Sequence, residues 1–294
     1  MDKIIDNIDL DSPFIIVRKE SGERYELTPS TNKTVQPIAL LRLSVFTPVS
    51  PKEKSKRDFL VDASDELSSL EVARQEGYTD IKIQGARLNM STDFKTWVGI
   101  ISTFSRYGYS NDKITVSFSE FARMCGLRPT DINSRARSRF YESFFNISSV
   151  TLAFRSQDGK KALVTHLVQR ATFNIEKDEI ELIGDPSLWE LYRYDHKVLL
   201  GLKALSELAR KEAAQSLYVY FESMPVGTLY VTMKRLRQRL DMSSKINEQN
   251  RIIRKALQDL RQIGYLDYSE VKKGREIQFI IHSRSPKLSL PNPF

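Results

Sequence analysis

Two stretches of this chain, 115 positions apart, carry one order of patterns, and that repeat narrows the fold more than any other feature. Phe121 and Leu236, Cys125 and Leu240, Leu127 and Met242, and Gly159 and Gly274 all stand at that offset. It aligns a helix, the turn after it and a hairpin tip without a gap, although the halves share few identities. In the first stretch Phe94, Trp97, Val98, Ile101 and Phe104 recur at helical spacing behind Asp93, which suits an N-cap. Gly108 stops that helix. Ile114, Val116 and Phe118 alternate with polar residues as a short strand. Ser119 and Glu120 open a helix carrying Phe121, Met124 and Cys125, stopped by Gly126, and Thr130 starts a longer one holding Phe140, Phe144 and Phe145. The alternating runs Val150–Phe154 and Ala162–Val168 flank Asp158-Gly159, a hairpin signal. Helix, strand, helix, helix, hairpin is the order of a winged helix-turn-helix. A further strand pair is expected at Arg170–Ile175 and Glu179–Ile183.

The second stretch repeats the plan. Thr228–Val231 reads as a strand, and Thr232 caps a helix with Met233, Leu236 and Leu240. After a turn at Ser243, Ser244 and Lys245, Asn247–Ile263 predicts a helix with Ile253, Ala256, Leu257 and Leu260 on one face. Gly264 is its stop. Tyr265–Ser269 and Glu276–His282 alternate as strands around Lys272-Lys273-Gly274-Arg275. Between the halves, Asp185-Pro186 opens a short helix through Tyr192, and Lys197–Ser223 reads as a long helix. Residues 1–60 are broken by Pro13, Pro29, Pro37, Pro48 and Pro51 and read as irregular. Short extended pieces are expected there at Phe14–Val17 and Ile38–Phe46. Asp65–Gln75 reads as a short amphipathic helix and Ile81–Ile83 as a strand. The 294 residues suffice for two cores. The expectation is an α+β chain of two tandem winged-helix domains, 61–195 and 196–294, joined by a long helix, with an irregular N-terminal extension over 1–60.

Charge separates the two halves. The chain carries 45 Lys+Arg and 37 Asp+Glu, a formal net charge of +8. From Thr228 to Phe294 there are 14 basic and 6 acidic residues, so the last quarter holds the whole excess and the remaining 227 residues are neutral. Localised positive charge points to a polyanion, either nucleic acid or an anionic membrane surface, against the plain alternative of a solvated basic face. Hydrophobic runs such as Trp97–Ile101 fall far short of the ~20 residues that span a bilayer.

The Asn247–Ile263 helix suits a major groove. Its outward residues include Asn247, Asn250, Arg251, Arg254, Lys255, Gln258 and Arg261. Arginine bonds two acceptors on guanine, and Asn or Gln does so on adenine. Lys245 at the turn and Lys272, Lys273 and Arg275 at the wing tip suit phosphates. Lys234, Arg235, Arg237 and Arg239 on the preceding helix suit phosphate contact or a plain solvated face equally. The first half has Arg135, Arg137 and Arg139 on its second helix beside Phe140, Tyr141, Phe144 and Phe145. Protein contact and DNA contact fit it equally well, and its aromatics read as core.

Signs of catalysis are missing. His166, His196 and His282 are scattered, so no metal-ligand spacing forms, and the pattern calls for no metal and no cofactor. Tyr192 and Tyr194 near His196 suggest a nicking nucleophile, but the histidine pair such chemistry needs is absent. Asp158-Gly159-Lys160-Lys161 lacks the first glycine and the hydroxyl residue of a phosphate loop. The expectation is a protein that is not an enzyme. Cys125, alone, excludes an intramolecular disulfide and points to a reducing compartment. The start, Met1-Asp2-Lys3-Ile4-Ile5-Asp6, has no basic segment followed by an apolar core, so no secretory signal is expected.

Several strings are specific. Asn32-Lys-Thr-Val-Gln-Pro-Ile-Ala-Leu-Leu-Arg-Leu43, Asp93-Phe-Lys-Thr-Trp-Val-Gly-Ile-Ile101, Thr165-His-Leu-Val-Gln169, Lys197-Val-Leu-Leu200 and Ile263-Gly-Tyr-Leu-Asp-Tyr268 resemble the RepA initiators of IncFIB-type plasmids. The resemblance runs from about residue 22 to 288 and places the chain with the iteron-binding initiators of two winged-helix domains. It implies a bacterial, cytoplasmic plasmid replication initiator that binds tandem repeats (iterons) in double-stranded origin DNA and helps open the duplex. It also implies recruitment of the host initiator and replicative helicase, repression of its own promoter, and a homodimer in equilibrium with an initiating monomer. In that group the C-terminal winged helix carries most sequence reading, and the N-terminal one serves dimerisation and accessory DNA contact. A winged-helix transcriptional repressor without initiator activity is the alternative.

Overall fold

The computed structural model describes residues 13–17, 24–42, 44–49, 59–62, 64, 77–108, 113–186, 188–189, 192, 197–274 and 276–284. The N-terminal part contributes β1 (Ile15–Val17) and β2 (Arg24–Glu26), an antiparallel pair. Then come β3 (Lys33–Pro37), α1 (Ile38–Arg42) and β4 (Phe46–Thr47). β5 (Phe59–Asp62), β6 (Tyr78–Gly85) and β7 (Leu88–Asn89) lead into α2 (Asp93–Tyr107), β8 (Ile114–Ser117) and α3 (Phe118–Met124). A 3-10 turn at Pro129–Asp131 precedes α4 (Ser134–Ser148). The strands β9 (Thr151–Ser156), β10 (Ala162–His166), β11 (Arg170–Asn174) and β12 (Glu179–Ile183) follow. The remainder is β13 (Lys197–Gly201), α5 (Lys203–Glu207), α6 (Glu212–Glu222), β14 (Leu229–Thr232), α7 (Met233–Leu240), α8 (Ile246–Gln262), β15 (Leu266–Lys273) and β16 (Glu276–Arg284).

Two winged-helix units are present. In the first, α2, α3 and α4 pack beside a sheet of order β11-β12-β8; in the second, α6, α7 and α8 pack beside β14-β16-β15. In each unit the short strand after the first helix pairs with the last wing strand. Val116 faces Ile180 in one and Val231 faces Phe279 in the other. The repeat is exact in offset at the caps. Ser117 Oγ accepts from the Glu120 amide at 3.1 Å, and Thr232 Oγ1, 115 positions on, accepts from the Arg235 amide at 3.2 Å. The cap of the first-unit helix is therefore Ser117, two residues before the expected Ser119, and the helix opens at Phe118. Asn133, not Thr130, caps α4, its side chain accepting from the Ala136 amide at 3.0 Å.

The matching of Gly159 with Gly274 does not hold. The hairpin β9–β10 belongs to a separate sheet of order β10-β9-β6-β5, and the wing of the first unit is β11–β12. Alternation marks a strand but not its partner, and the partner here lies far upstream. Gly85 makes that approach feasible. A Cβ on it would sit 2.2 Å from the Ser149 carbonyl oxygen, and its φ of +132° suits glycine alone.

The long helix over 197–223 is also corrected. Its start is the strand β13, antiparallel to β3 with Leu199 opposite Val35. The rest is two helices, interrupted by Arg210 at φ +68°. Residues 197–201 span barely more than one helical turn, and a run that short fits a strand as well as a helix, so the edge of β3 decided the outcome. The described segments within residues 1–60 are less irregular than expected. Ile38–Arg42 is helical rather than extended, β4 runs parallel to β7, and Val35, Leu40 and Phe46 are buried. The expected helix at Asp65–Gln75 lies outside the described residues.

Buried hydrophobics from both units form a continuous core. Trp97 lies within it and donates Nε1–H to Gln36 Oε1 at 2.9 Å. Phe121 meets Phe140 and Phe144 at ring-centroid distances of 5.6 and 5.2 Å. Phe145 and Tyr141 are exposed, so the aromatics of α4 divide between core and surface. Asp93 is buried in the first turn of α2 instead of capping it, and its carboxylate accepts from the Asn89 amide at 2.9 Å and Asn89 Nδ2 at 2.7 Å.

Candidate nucleic-acid interface

α8 forms because apolar residues recur on one face. Ile253, Ala256, Leu257 and Leu260 are buried against α6 and α7, and Gly264 at φ +73° follows its end. The turn before it is fixed by side chains. Asp241, in the left-handed conformation, ends α7, and Gln249 Nε2 donates to the carbonyls of Met242 at 2.7 Å and Ser244 at 2.6 Å. Lys245 stands at the N-cap of α8, exposed, beside the positive end of the helix dipole.

The outward residues of α8 divide by partner. Asn247 and Gln258 are exposed. Asn250 is half-buried and accepts from Arg237 Nη1 of α7 at 2.8 Å, so two expected contact residues hold each other. Arg251 pairs with Glu248 at 2.5 and 2.8 Å. Arg254 forks onto Glu270 of β15 at 2.8 and 3.0 Å, tying helix to wing. Lys255 pairs with the buried Asp259 at 3.1 Å, which Lys211 also reaches at 3.0 Å. Arg261 lies over the Tyr268 ring at 4.1 Å and donates to the Tyr268 carbonyl. These carboxylate partners hold the Arg251 and Arg254 guanidiniums above their ordinary pKa and Glu248 below its own, mainly through the hydrogen bonds.

Lys272 and Lys273 are exposed at the end of β15. Lys272 is two residues beyond Glu270 and so leaves the strand on the face that meets α8. Arg275 lies outside the described residues. Lys234 is exposed on α7 and Arg237 half-buried. Arg239, equally open to either reading in sequence, is buried. It donates to the carbonyls of Leu41 at 3.0 Å and Phe46 at 3.4 Å, while Ser44 Oγ donates to the Arg239 carbonyl at 3.0 Å. Sequence reasoning missed Glu248, Gln249 and Glu270. Glu248 was legible as an acid three residues before an arginine, whereas Glu270 meets Arg254 only through the fold.

In the first unit Arg135 and Arg139 are exposed on α4, and with Lys95 and Arg210 they line a cleft of about 520 Å³. Arg137 is pinned to Asp178 in the wing turn and lies 4.3 Å over the Phe118 ring. Tyr192, weighed above as a nucleophile, is fully buried against Phe14 and Trp189. Tyr194 and His196 lie outside the described residues. Burial pushes the Cys125 thiol well above its ordinary range. Among the described residues no three His, Cys, Asp or Glu side chains are grouped to hold a metal ion, and no helix is long and apolar enough to cross a membrane.

Residues 81–222 match the family described as Initiator Replication protein, WH1, and residues 232–281 match Initiator Rep protein, WH2. The chain belongs to the RepA-type replication initiators. The initiator is 45% identical over 285 residues to "Replication protein RepA" of Salmonella typhi, a span of 96% of this chain and 81% of that one. It is also 45% identical over 279 residues to "RepFIB replication protein A" of Escherichia coli, covering 93% of this chain and 86% of that one. Domains 2 and 3 of RctB share the fold of the initiator, with a TM-score of 0.52 at 13% identity over 84% of this chain and 98% of that one.

Proposed function

We propose that the initiator reads repeated duplex sequences at a plasmid origin with its second winged helix, α8 lying in the major groove. The observation that carries this reading is the surface of α8. Asn247, Arg251, Arg254, Lys255 and Gln258 face outward from it, and Arg254 ties it to the wing that bears Lys272 and Lys273. Asn250, Lys245, Lys234, Arg237 and Arg275 complete the surface in this reading, the lysines and Arg275 on phosphates. The concentration of positive charge after Thr228 supports it. Functionally the chain divides into an extension (1–60), a first domain (61–195) that manages self-association and accessory DNA contact, and a reading domain (196–294). The protein acts in the bacterial cytoplasm as a dimer exchanging with an initiating monomer. It helps open the origin, brings in the host initiator and helicase, represses its own gene and leaves catalysis to host enzymes.

The test is a footprint of the purified protein on the DNA flanking its own gene, followed by cloning of the protected segment beside the gene on a plasmid with no other origin. Protection of repeated segments and stable replication are expected. Protection without replication leaves a repressor, and no protection at moderate salt removes the DNA-reading assignment.

A further inference from the structure

Every arginine on α8 has an acidic partner within the unit: Arg251 has Glu248, Arg254 has Glu270 and Arg261 has Asp267. The lysines of the turn and the wing behave otherwise, whereas Lys255 of α8 shares the buried Asp259 with Lys211. Among the described residues Lys245, Lys272 and Lys273 form no ion pair, and all three are exposed. The surface therefore carries open lysines at its turn and wing and masked arginines along its reading helix.

We infer that Glu248 and Glu270 are specificity-determining residues, which hold Arg251 and Arg254 closed until a base edge replaces them. The inference rests on the reading of α8 proposed above. The Arg254–Glu270 fork is bidentate, with bonds of 2.8 and 3.0 Å. Guanine offers the same two-acceptor pattern through O6 and N7, so one acceptor pair exchanges for the other without loss of geometry. Phosphate also offers two acceptors, but on the backbone at the edge of the groove, whereas guanine offers them on its floor, toward which a helix in the groove directs its outward side chains. Both pairs are partly exposed, with side-chain accessibilities of 43% and 37% for Arg254 and Glu270, so water screens them and they open at small cost. On a mismatched duplex the displaced carboxylate faces phosphate, which lowers affinity. The acids act as repulsive elements against the wrong partner, and the open lysines supply encounter on any duplex.

The test compares Glu248→Gln and Glu270→Gln with the natural protein on two probes across a salt series. One probe is the segment protected in the footprint, and the other is a mixed-sequence duplex of equal length. Arg251→Ala and Arg254→Ala are measured alongside, and circular dichroism verifies the fold. Removal of both carboxylates is expected to tighten mixed-sequence binding by about tenfold and steepen its salt dependence, with a smaller gain on the protected segment. Unchanged mixed-sequence affinity and slope in both Gln variants, while the Ala variants weaken the protected segment, overturn the masking role and leave the reading of α8 intact. Ala variants that bind the protected segment as tightly as the natural protein overturn both.

Discussion

Arg87, in the turn between β6 and β7, holds Asp241 twice, through its carboxylate at 2.9 Å and its backbone carbonyl at 2.6 Å. Asp241 is the left-handed residue that ends α7 and begins the turn into α8. The first unit thus grips the second at the point that sets the direction of α8. Arg87→Ala is expected to cost about 1–2 kcal/mol of stability, because a charge-assisted bond to a partly buried carbonyl is lost. Urea unfolding at neutral pH measures it, and an unchanged midpoint would show that the grip is carried elsewhere.

DNA affinity is expected to respond differently to helix and wing. Arg251→Ala and Arg254→Ala each cost about 1–3 kcal/mol on the protected repeats, with relaxed preference at one base position. The double change of Lys272 and Lys273 to Ala weakens binding to all duplexes and lowers the slope of log affinity against log salt by about 2. Titrations at several salt concentrations separate the two behaviours.

Asp93 makes stability depend on pH. Burial pushes its carboxyl up to about 6 from 3.8, against the hydrogen bonds from Asn89 that lower it. The folded chain binds this proton more tightly than the unfolded chain does. Stability from this group is therefore gained as pH falls through about 6 toward 4, and is lost as pH rises, by an amount of about 3 kcal/mol. Asp93→Asn should remove that slope in urea unfolding measured between pH 4 and 7, and a slope that persists would assign it to another group.

Gly85→Ala is expected to disrupt the first unit. The added methyl meets the Ser149 carbonyl and the Val150 backbone, neither of which is a flexible side chain end. The positive φ adds strain. Loss of more than about 3 kcal/mol, or failure to accumulate as folded protein, is the expected outcome.

Local order was legible in the sequence wherever a pattern and its stop signal lie within one element. α8 with its apolar stripe and Gly264, the Thr232 cap and the strand before it are all of that kind. Pairing between distant segments was not legible. The sequence 197–201 becomes a strand because β3 offers an edge, and Asp158-Gly159 marks a hairpin whose sheet is completed by β6 and β5. The same limit applied to the site. Outward positions on α8 follow from helical period, but the carboxylate of Glu270 reaches Arg254 only when β15 folds back along the helix. Arg239 reads as one more surface cation until α1 and β4 cover it.

The β3–β13 ladder also imposes a delay. Its nearest partners, Pro37 and Lys197, are 160 residues apart in the chain, so on a ribosome adding ~5–20 residues per second the first strand waits roughly ten to thirty seconds for its mate. For that interval the early edge is open to other chains, and the newborn protein is most exposed to mispairing before its second half exists.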